Sequence, residues 1–180
     1  MSNIVYIATS LDGFIADKNN RIEWLHDIPN PDGSDLGFSA FMDRIDAIVM
    51  GRNTVEMVLS FGCDWPYTKP VFMLSNTLTS VPAGYEDKIF LVNGDLKDVV
   101  RVLNEQGYAD LYIDGGVTVQ GFLKQDLIDE LIITTIPVLL GGGIPLFGDL
   151  AEPLKFKHVS SEPLLGCLVK NTFVRERTCA

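Results

Sequence analysis

Leu111-Tyr112-Ile113-Asp114-Gly115-Gly116-Val117-Thr118 is the stretch on which the fold turns. A short apolar run ends on two glycines. The residues that follow carry Val119, Phe122, Leu123 and Leu127, spaced for one face of a helix. The reading is strand, glycine turn, helix start. Earlier in the chain the same grammar appears once more: Ala47-Ile48-Val49-Met50 runs into Gly51-Arg52-Asn53-Thr54. A helix start presents free backbone N–H groups and the positive end of the helix dipole. Two such starts on one sheet can hold a dinucleotide, and Arg52 stands where a phosphate can be met. Each segment also has a plainer reading, a tight strand-to-helix turn with a surface Arg or with crowded backbone. The glycines are not the GxGxxG fingerprint, which needs a third glycine three residues after the second.

Outward from these segments the chain alternates strand and helix. Ile4–Ala8 reads as a buried first strand, followed by a loop through Asp12-Gly13 to Trp24. Phe38, Phe41, Met42 and Ile45 have the i, i+3, i+4, i+7 spacing of an apolar helical stripe. Further strands are expected at 47–50, 70–74, 89–92 and 111–113. Helices are expected at about 53–60, around Leu96, Val99, Val100 and Leu103, and after Gly116. Glu130 to Ile136 is a β-rich run closed by Pro137. The tail changes character: 156–160 and 168–175 read as two strands with no helix between them. The pattern predicts a mostly parallel sheet with helices on both faces and antiparallel strands added at the C-terminal end. No repeat or linker interrupts it, so residues 1–180 read as one domain.

Composition narrows the function classes. The 180 residues are 47% hydrophobic with a net charge of −10, which fits a folded α/β domain and gives no basic face for nucleic acid. Cys63, Cys167 and Cys179 have no metal-ligand spacing, so no metal is expected and reduced thiols in the cytoplasm are. No signal peptide pattern and no apolar run of membrane-spanning length is present. His26 and His158 lack a matching nucleophile or ligand and read as surface or structural residues.

Several other positions are candidates for chemistry, each with a plain alternative. Ser10–Ala16 is a turn or a loop that closes over a ligand, with Ile15 and Trp24 as apolar walls. Ser75-Asn76 ends the third strand, where open α/β sheets place ligands, or is a polar turn. Asp35 stands either at the N-cap of the Phe38 helix or on its apolar face, where burial would raise its pKa for proton supply. Gly141-Gly142-Gly143 reads as a crossing loop anchored by Phe147.

Taken in order, Ser-Leu-Asp-Gly-Phe-Ile-Ala (10–16), Asp-Ala-Ile-Val-Met-Gly-Arg-Asn-Thr (46–54), Val-Phe-Met-Leu-Ser (71–75), Ile-Asp-Gly-Gly (113–116) and Pro-Val-Leu-Leu-Gly-Gly-Gly-Ile-Pro-Leu-Phe (137–147) resemble the dihydrofolate-reductase-like superfamily. The nearest likeness is to the branch holding the C-terminal reductase domain of bacterial riboflavin biosynthesis proteins. The resemblance implies a three-layer α/β sandwich and an NADPH-dependent reductase. It implies that Ala8 and Ile15 line the nicotinamide end, and that Gly51, Arg52 and Thr54 hold phosphates. Arg52 and Ser75, with Asn76 beside it, would lie near the adenosine 2′-phosphate. Gly115, Gly116, Val117 and Thr118 would cradle the pyrophosphate across a cis Gly115-Gly116 bond. The branch commonly forms homodimers, and apolar segments such as 131–139 are candidates to pair or pack across a two-fold.

The substrate side departs from the family pattern. The branch reduces a ribosylamino-pyrimidine phosphate, yet no Lys/Arg cluster for a substrate phosphate is evident, nor any zinc-ligand pattern of a fused deaminase. The usual Pro-Trp pair is replaced by Glu23-Trp24. The expectation is a small heterocyclic or conjugated substrate between Trp24, the Phe38/Met42 helix face and the nicotinamide, with a proton from Asp35 or water. The rival expectations are an NADP-binding module or sensor without catalysis, and a purely structural homodimer.

Overall fold

The computed structural model of the chain describes residues 1–177. An eight-stranded sheet runs through it in the order β5-β4-β3-β6-β1-β7-β10-β9. These strands are β1 (Ser2–Ser10), β3 (Ala47–Gly51), β4 (Val71–Leu74), β5 (Ile89–Val92), β6 (Asp110–Asp114), β7 (Glu130–Ile136), β9 (Phe156–Leu164) and β10 (Leu168–Arg175). The six strands from β5 to β7 are mutually parallel. β10 runs antiparallel to β7, and β9 antiparallel to β10.

Two helices cover each face. α3 (Leu96–Glu105) and α4 (Gly116–Lys124) bury Val99, Leu103, Val119, Phe122 and Leu123 against Val5, Val49, Leu111 and Ile113. α1 (Phe38–Arg44) and α2 (Arg52–Ser60) bury Phe41, Met42 and Val55 against Ile48, Met50, Val71 and Tyr112 on the other face. The central strands are apolar on both sides because both sides are covered, which is why they read as continuous apolar runs.

Two elements are too short to show a period. β2 (Phe14–Ala16) pairs with β8 (Ile144–Pro145) as a separate antiparallel ribbon. This ribbon lies beyond the carboxyl ends of β1 and β6. It is tied down by Asp12, whose carboxylate accepts from the backbone N–H of Leu140 at 3.1 Å and of Gly141 at 2.8 Å. Gly143 lies so close to β2 that a Cβ on it would stand 2.0 Å from the Ala16 carbonyl oxygen. The loop is anchored by Leu146, which is fully buried; Phe147, expected in that role, is 49% exposed.

β7 is flanked by β1 and β10, so its backbone is already paired on both edges. It cannot pair strand to strand across a two-fold; of the two arrangements expected for segment 131–139, the strand pairing is excluded. The outer strand of the tail, β9, is the one exposed along almost its whole length. Cys63 and Cys167 are free and exposed, and Cys179 lies outside the described residues.

Candidate functional site

The two glycine turns lie side by side, because β3 and β6 are neighbours with Met50 opposite Asp114. The following helices go to opposite faces, and their N-termini meet at the carboxyl edge of the sheet. Each turn is fitted to the other helix. A Cβ on Gly115 would lie 2.2 Å from the Thr54 hydroxyl, and one on Gly51 would lie 3.1 Å from the Thr118 hydroxyl. A Cβ on Gly116 would meet Ile15 at 2.9 Å, so the β2 ribbon closes over the same point.

Gly115 takes φ 89° and ψ 138°, backbone that L side chains rarely adopt. Its peptide bond to Gly116 is trans, for no cis bond occurs among the described residues. The cis expectation is therefore corrected. The sharp turn is made by the glycine dihedral angles instead.

A cleft of about 690 Å³ opens at this edge. Of the residues expected to bind, Ala8, Ile15, Gly51, Arg52, Thr54, Gly115, Gly116, Val117 and Thr118 all line it. Arg52 is half-exposed on the first turn of α2, its Nε donating to Glu56 at 2.5 Å. Its two terminal nitrogens have no protein partner among the described residues.

Six other expected residues do not line the cleft. Ser75 and Asn76 sit in a turn beyond β4, where the Ser75 hydroxyl accepts from the Leu78 N–H at 3.1 Å. Trp24 lies half-buried on a 3₁₀ turn (Glu23–Leu25) whose neighbours Ile22 and Leu25 face the cleft in its place. Its Nε1 is buried without a partner. Phe38 and Met42 pack one layer behind, in the core under Tyr6. Phe41 from the same helix stacks on Tyr6 with ring centroids 4.5 Å apart.

Asp35 caps α1. Its carboxylate accepts from the N–H groups of Gly37 and Ser39, each at 2.9 Å. Those bonds, with the Ser39 hydroxyl foremost, bring its pKa down to about 2. A group so held gives up its proton far below neutrality, so the raised pKa expected of a proton donor is overturned.

The carboxylate that does face the cleft is Asp114, at the end of β6. The residue is half-buried in the wall of the cleft. Burial pushes its pKa up to about 6, against the lowering effect of the Gly115 N–H, which donates to Oδ1 at 2.8 Å. Two tyrosines, Tyr67 and Tyr112, feel its charge, and a third, Tyr6, lines the same cleft. Tyr112 is on the same face of β6, since strand side chains alternate. Tyr6 and Tyr67 come from β1 and the loop before β4, and both line the cleft. Burial comes first in raising the pKa of all three, and the Asp114 charge is the next cause for Tyr67 and Tyr112. The sequence signal for Asp114 was local: a carboxylate closing a buried strand, directly before the glycines.

This architecture is a sandwich of the dihydrofolate-reductase type. Its sheet and helices superimpose on dihydrofolate reductase from Enterococcus faecalis, solved with NADP(H), at TM-score 0.68 and 18% identity, covering 98% of this chain and 97% of that one. The chain belongs to the RibD C-terminal domain family, whose model matches residues 3–168. A crystal structure from Shewanella sp. PV-4, of a protein provisionally assigned to riboflavin biosynthesis, is 61% identical over 98% of this chain and all of that one, with TM-score 0.97. The uncharacterized protein YwjB of Bacillus subtilis (strain 168) is 37% identical over 157 residues, 86% of this chain and 87% of that protein.

Proposed function

We propose that the protein is an NADPH-dependent reductase acting on a small heterocyclic or conjugated substrate. The observation that carries this reading is the interlock of Gly51 with Thr118 and Gly115 with Thr54, which sets two helix N-termini against one cleft. The cradle fits a dinucleotide. At Gly115 and Gly116 a side chain would fill the space that a pyrophosphate needs, and the N–H groups of α2 and α4 point toward negative charge. Arg52 keeps two free donor groups for a further phosphate. The bound cofactor would supply the reducing equivalents. The chain's own residues would hold it by Gly51, Arg52, Thr54 and Gly115–Thr118, keep water out with Ile15 and Ile144 of the ribbon, and present Asp114 beside the substrate.

Support also comes from the similarly folded dihydrofolate reductase solved with NADP(H) and from the 61% identical Shewanella protein provisionally assigned to riboflavin biosynthesis. Titration of the protein with NADPH, followed by quenching of tryptophan fluorescence, tests the reading. Saturation at sub-millimolar NADPH is expected; absence of binding by both NADPH and NADH would refute it.

Pairing of two copies belongs to the same proposal. The β9–β10 ribbon exposes Val159, Val169 and Val174, and its outer edge is free for a second sheet or a packed face. Light scattering on the eluting protein should return twice the chain mass, and a monomer mass removes this part. Exposed unpaired thiols at Cys63 and Cys167 suit a reducing compartment such as the cytoplasm.

A further inference from the structure

Resting on the reductase reading of the cleft, we infer that Gln120 is a positioning residue for the cofactor: its amide tethers the β2–β8 ribbon to α4 and so holds the roof of the cleft over the glycine turn. Gln120 is half-buried on the second turn of α4 and does not itself line the cleft. Its Nε2 donates to the Pro145 carbonyl at 2.8 Å. Gly148 closes the other flank of the side chain: a Cβ there would stand 2.9 Å from the Gln120 Oε1 and 3.1 Å from its Cδ. The amide is thus gripped between β8 and the glycine that follows it. Among the described residues no other hydrogen bond joins the ribbon to α4.

The other polar anchors of the ribbon join its two halves to each other. The Leu146 N–H donates to the Gly13 carbonyl at 3.0 Å, and the Asp12 carboxylate accepts from the Leu140 and Gly141 N–H groups. These bonds fix β8 to the loop that carries β2. They leave the height of the pair above α4 to Gln120 and to the buried Leu146 side chain. That height matters at Gly116. A Cβ on Gly116 would lie 2.9 Å from Ile15 Cδ1, 3.3 Å from Ile144 Cγ2 and 3.5 Å from the Pro145 carbonyl oxygen. The ribbon therefore rests on the first residue of α4, inside the cradle assigned to the pyrophosphate, and its two isoleucines line the cleft. A ribbon that lifts takes this apolar cover away. When the state competent to bind is populated less, the apparent affinity falls in proportion.

The test is calorimetric titration of the full chain with NADPH at about pH 8, and with the acid-stable NADP⁺ at about pH 8 and about pH 5. Three proteins are compared: the parent, Gln120→Leu and Gln120→Glu. Leucine keeps the bulk and cannot donate. Glutamate keeps the length; its carboxylate cannot donate, and its protonated form can. The Leu variant should bind both cofactors about fivefold more weakly than the parent, the contribution of one neutral hydrogen bond, with the same ratio for NADP⁺ at both pH values. The Glu variant should match the Leu variant at the higher pH and come within about twofold of the parent at the lower, where part of the glutamate carries its proton. Lys124, one turn further along α4, and Asp149, beside Gly148, are exposed and common to all three proteins, so the ratios isolate position 120. In the cofactor-free protein, amide hydrogen exchange over residues 141–148 should be faster in the Leu variant than in the parent. Unchanged cofactor affinity in the Leu variant overturns the inference, and so does a Glu variant with the same deficit at both pH values. If the parent binds neither NADPH nor NADP⁺, the reductase reading falls separately. Hydrogen exchange then decides the tether alone, and unchanged exchange of the ribbon in the Leu variant overturns it.

Discussion

The Thr54 hydroxyl of α2 stands where a Cβ of Gly115 would be, 2.2 Å away. The contact couples the end of β6 to the start of α2, so neither residue can be changed without the other noticing. Gly115→Ala would introduce this clash and force an L side chain into φ 89°. Strain of this kind costs about 1–3 kcal/mol before any steric term. The expected outcome is a stability loss of at least that size in urea unfolding. Thr54→Ala in the Gly115→Ala background should return part of it, because the hydroxyl is gone while the backbone strain stays. No rescue by the second substitution would mean that the clash is relieved some other way.

Arg52 gives a second prediction. Its Nε is paired with Glu56, while the terminal nitrogens are free to meet a phosphate. Arg52→Ala should raise the dissociation constant for NADPH about tenfold, since charge-assisted hydrogen bonds to the 2′-phosphate are among the stronger ones. The constant for NADH should move little. Parallel fluorescence titrations with the two cofactors check this, and equal losses would show that Arg52 does not read the 2′-phosphate.

Asp35 links a helix cap to acid stability. Its folded pKa of about 2 lies below the ordinary carboxylate value. A depressed carboxylate stabilises the fold above its unfolded pKa, and the contribution is lost as pH falls from about 4 to about 2. Asp35→Ala should therefore lower the melting temperature at neutral pH, and the gap to the parent protein should close on acidification through that window. A gap that persists at the acid end would mean that the charge is not what caps α1.

How far the sequence reached is clearest from which residues it placed. Gly51, Arg52, Thr54 and Gly115–Thr118 were legible because strand, turn and helix start are contiguous in each segment, and a helix N-terminus keeps its meaning wherever it is put. The parallel sheet and its antiparallel tail followed from the same local alternation. The substrate side was not legible. Periodicity gave α1 an apolar face through Phe38 and Met42 but could not say that Tyr6 of β1 lies between that face and the cleft. Trp24 sits on a turn of three residues, too short for any period to aim its ring. Asp114 gains its altered pKa from burial in an enclosure that also holds Tyr67, distant in the chain. Burial of that sort exists only once the sheet is assembled.

That enclosure gives Asp114 a signature opposite in sign to that of Asp35. Its pKa is raised from 3.8 to about 6, so the native state holds the proton more tightly than the unfolded chain does. Where the native state binds more protons, stability falls as pH rises. The penalty is absent below about pH 4, grows between about 4 and 6, and is complete above that window. The shift corresponds to at most about 3 kcal/mol, and solvent reaching the carboxyl from the cleft makes the real figure smaller. Asp114→Asn keeps the shape and the acceptor for the Gly115 N–H but cannot ionise. It should be more stable than the parent at pH 8, by about 1–2 kcal/mol, and no more stable at pH 4. Urea unfolding of both proteins at the two pH values measures the difference. An advantage of the Asn variant that is the same at both values would show that Asp114 is not held protonated by its surroundings.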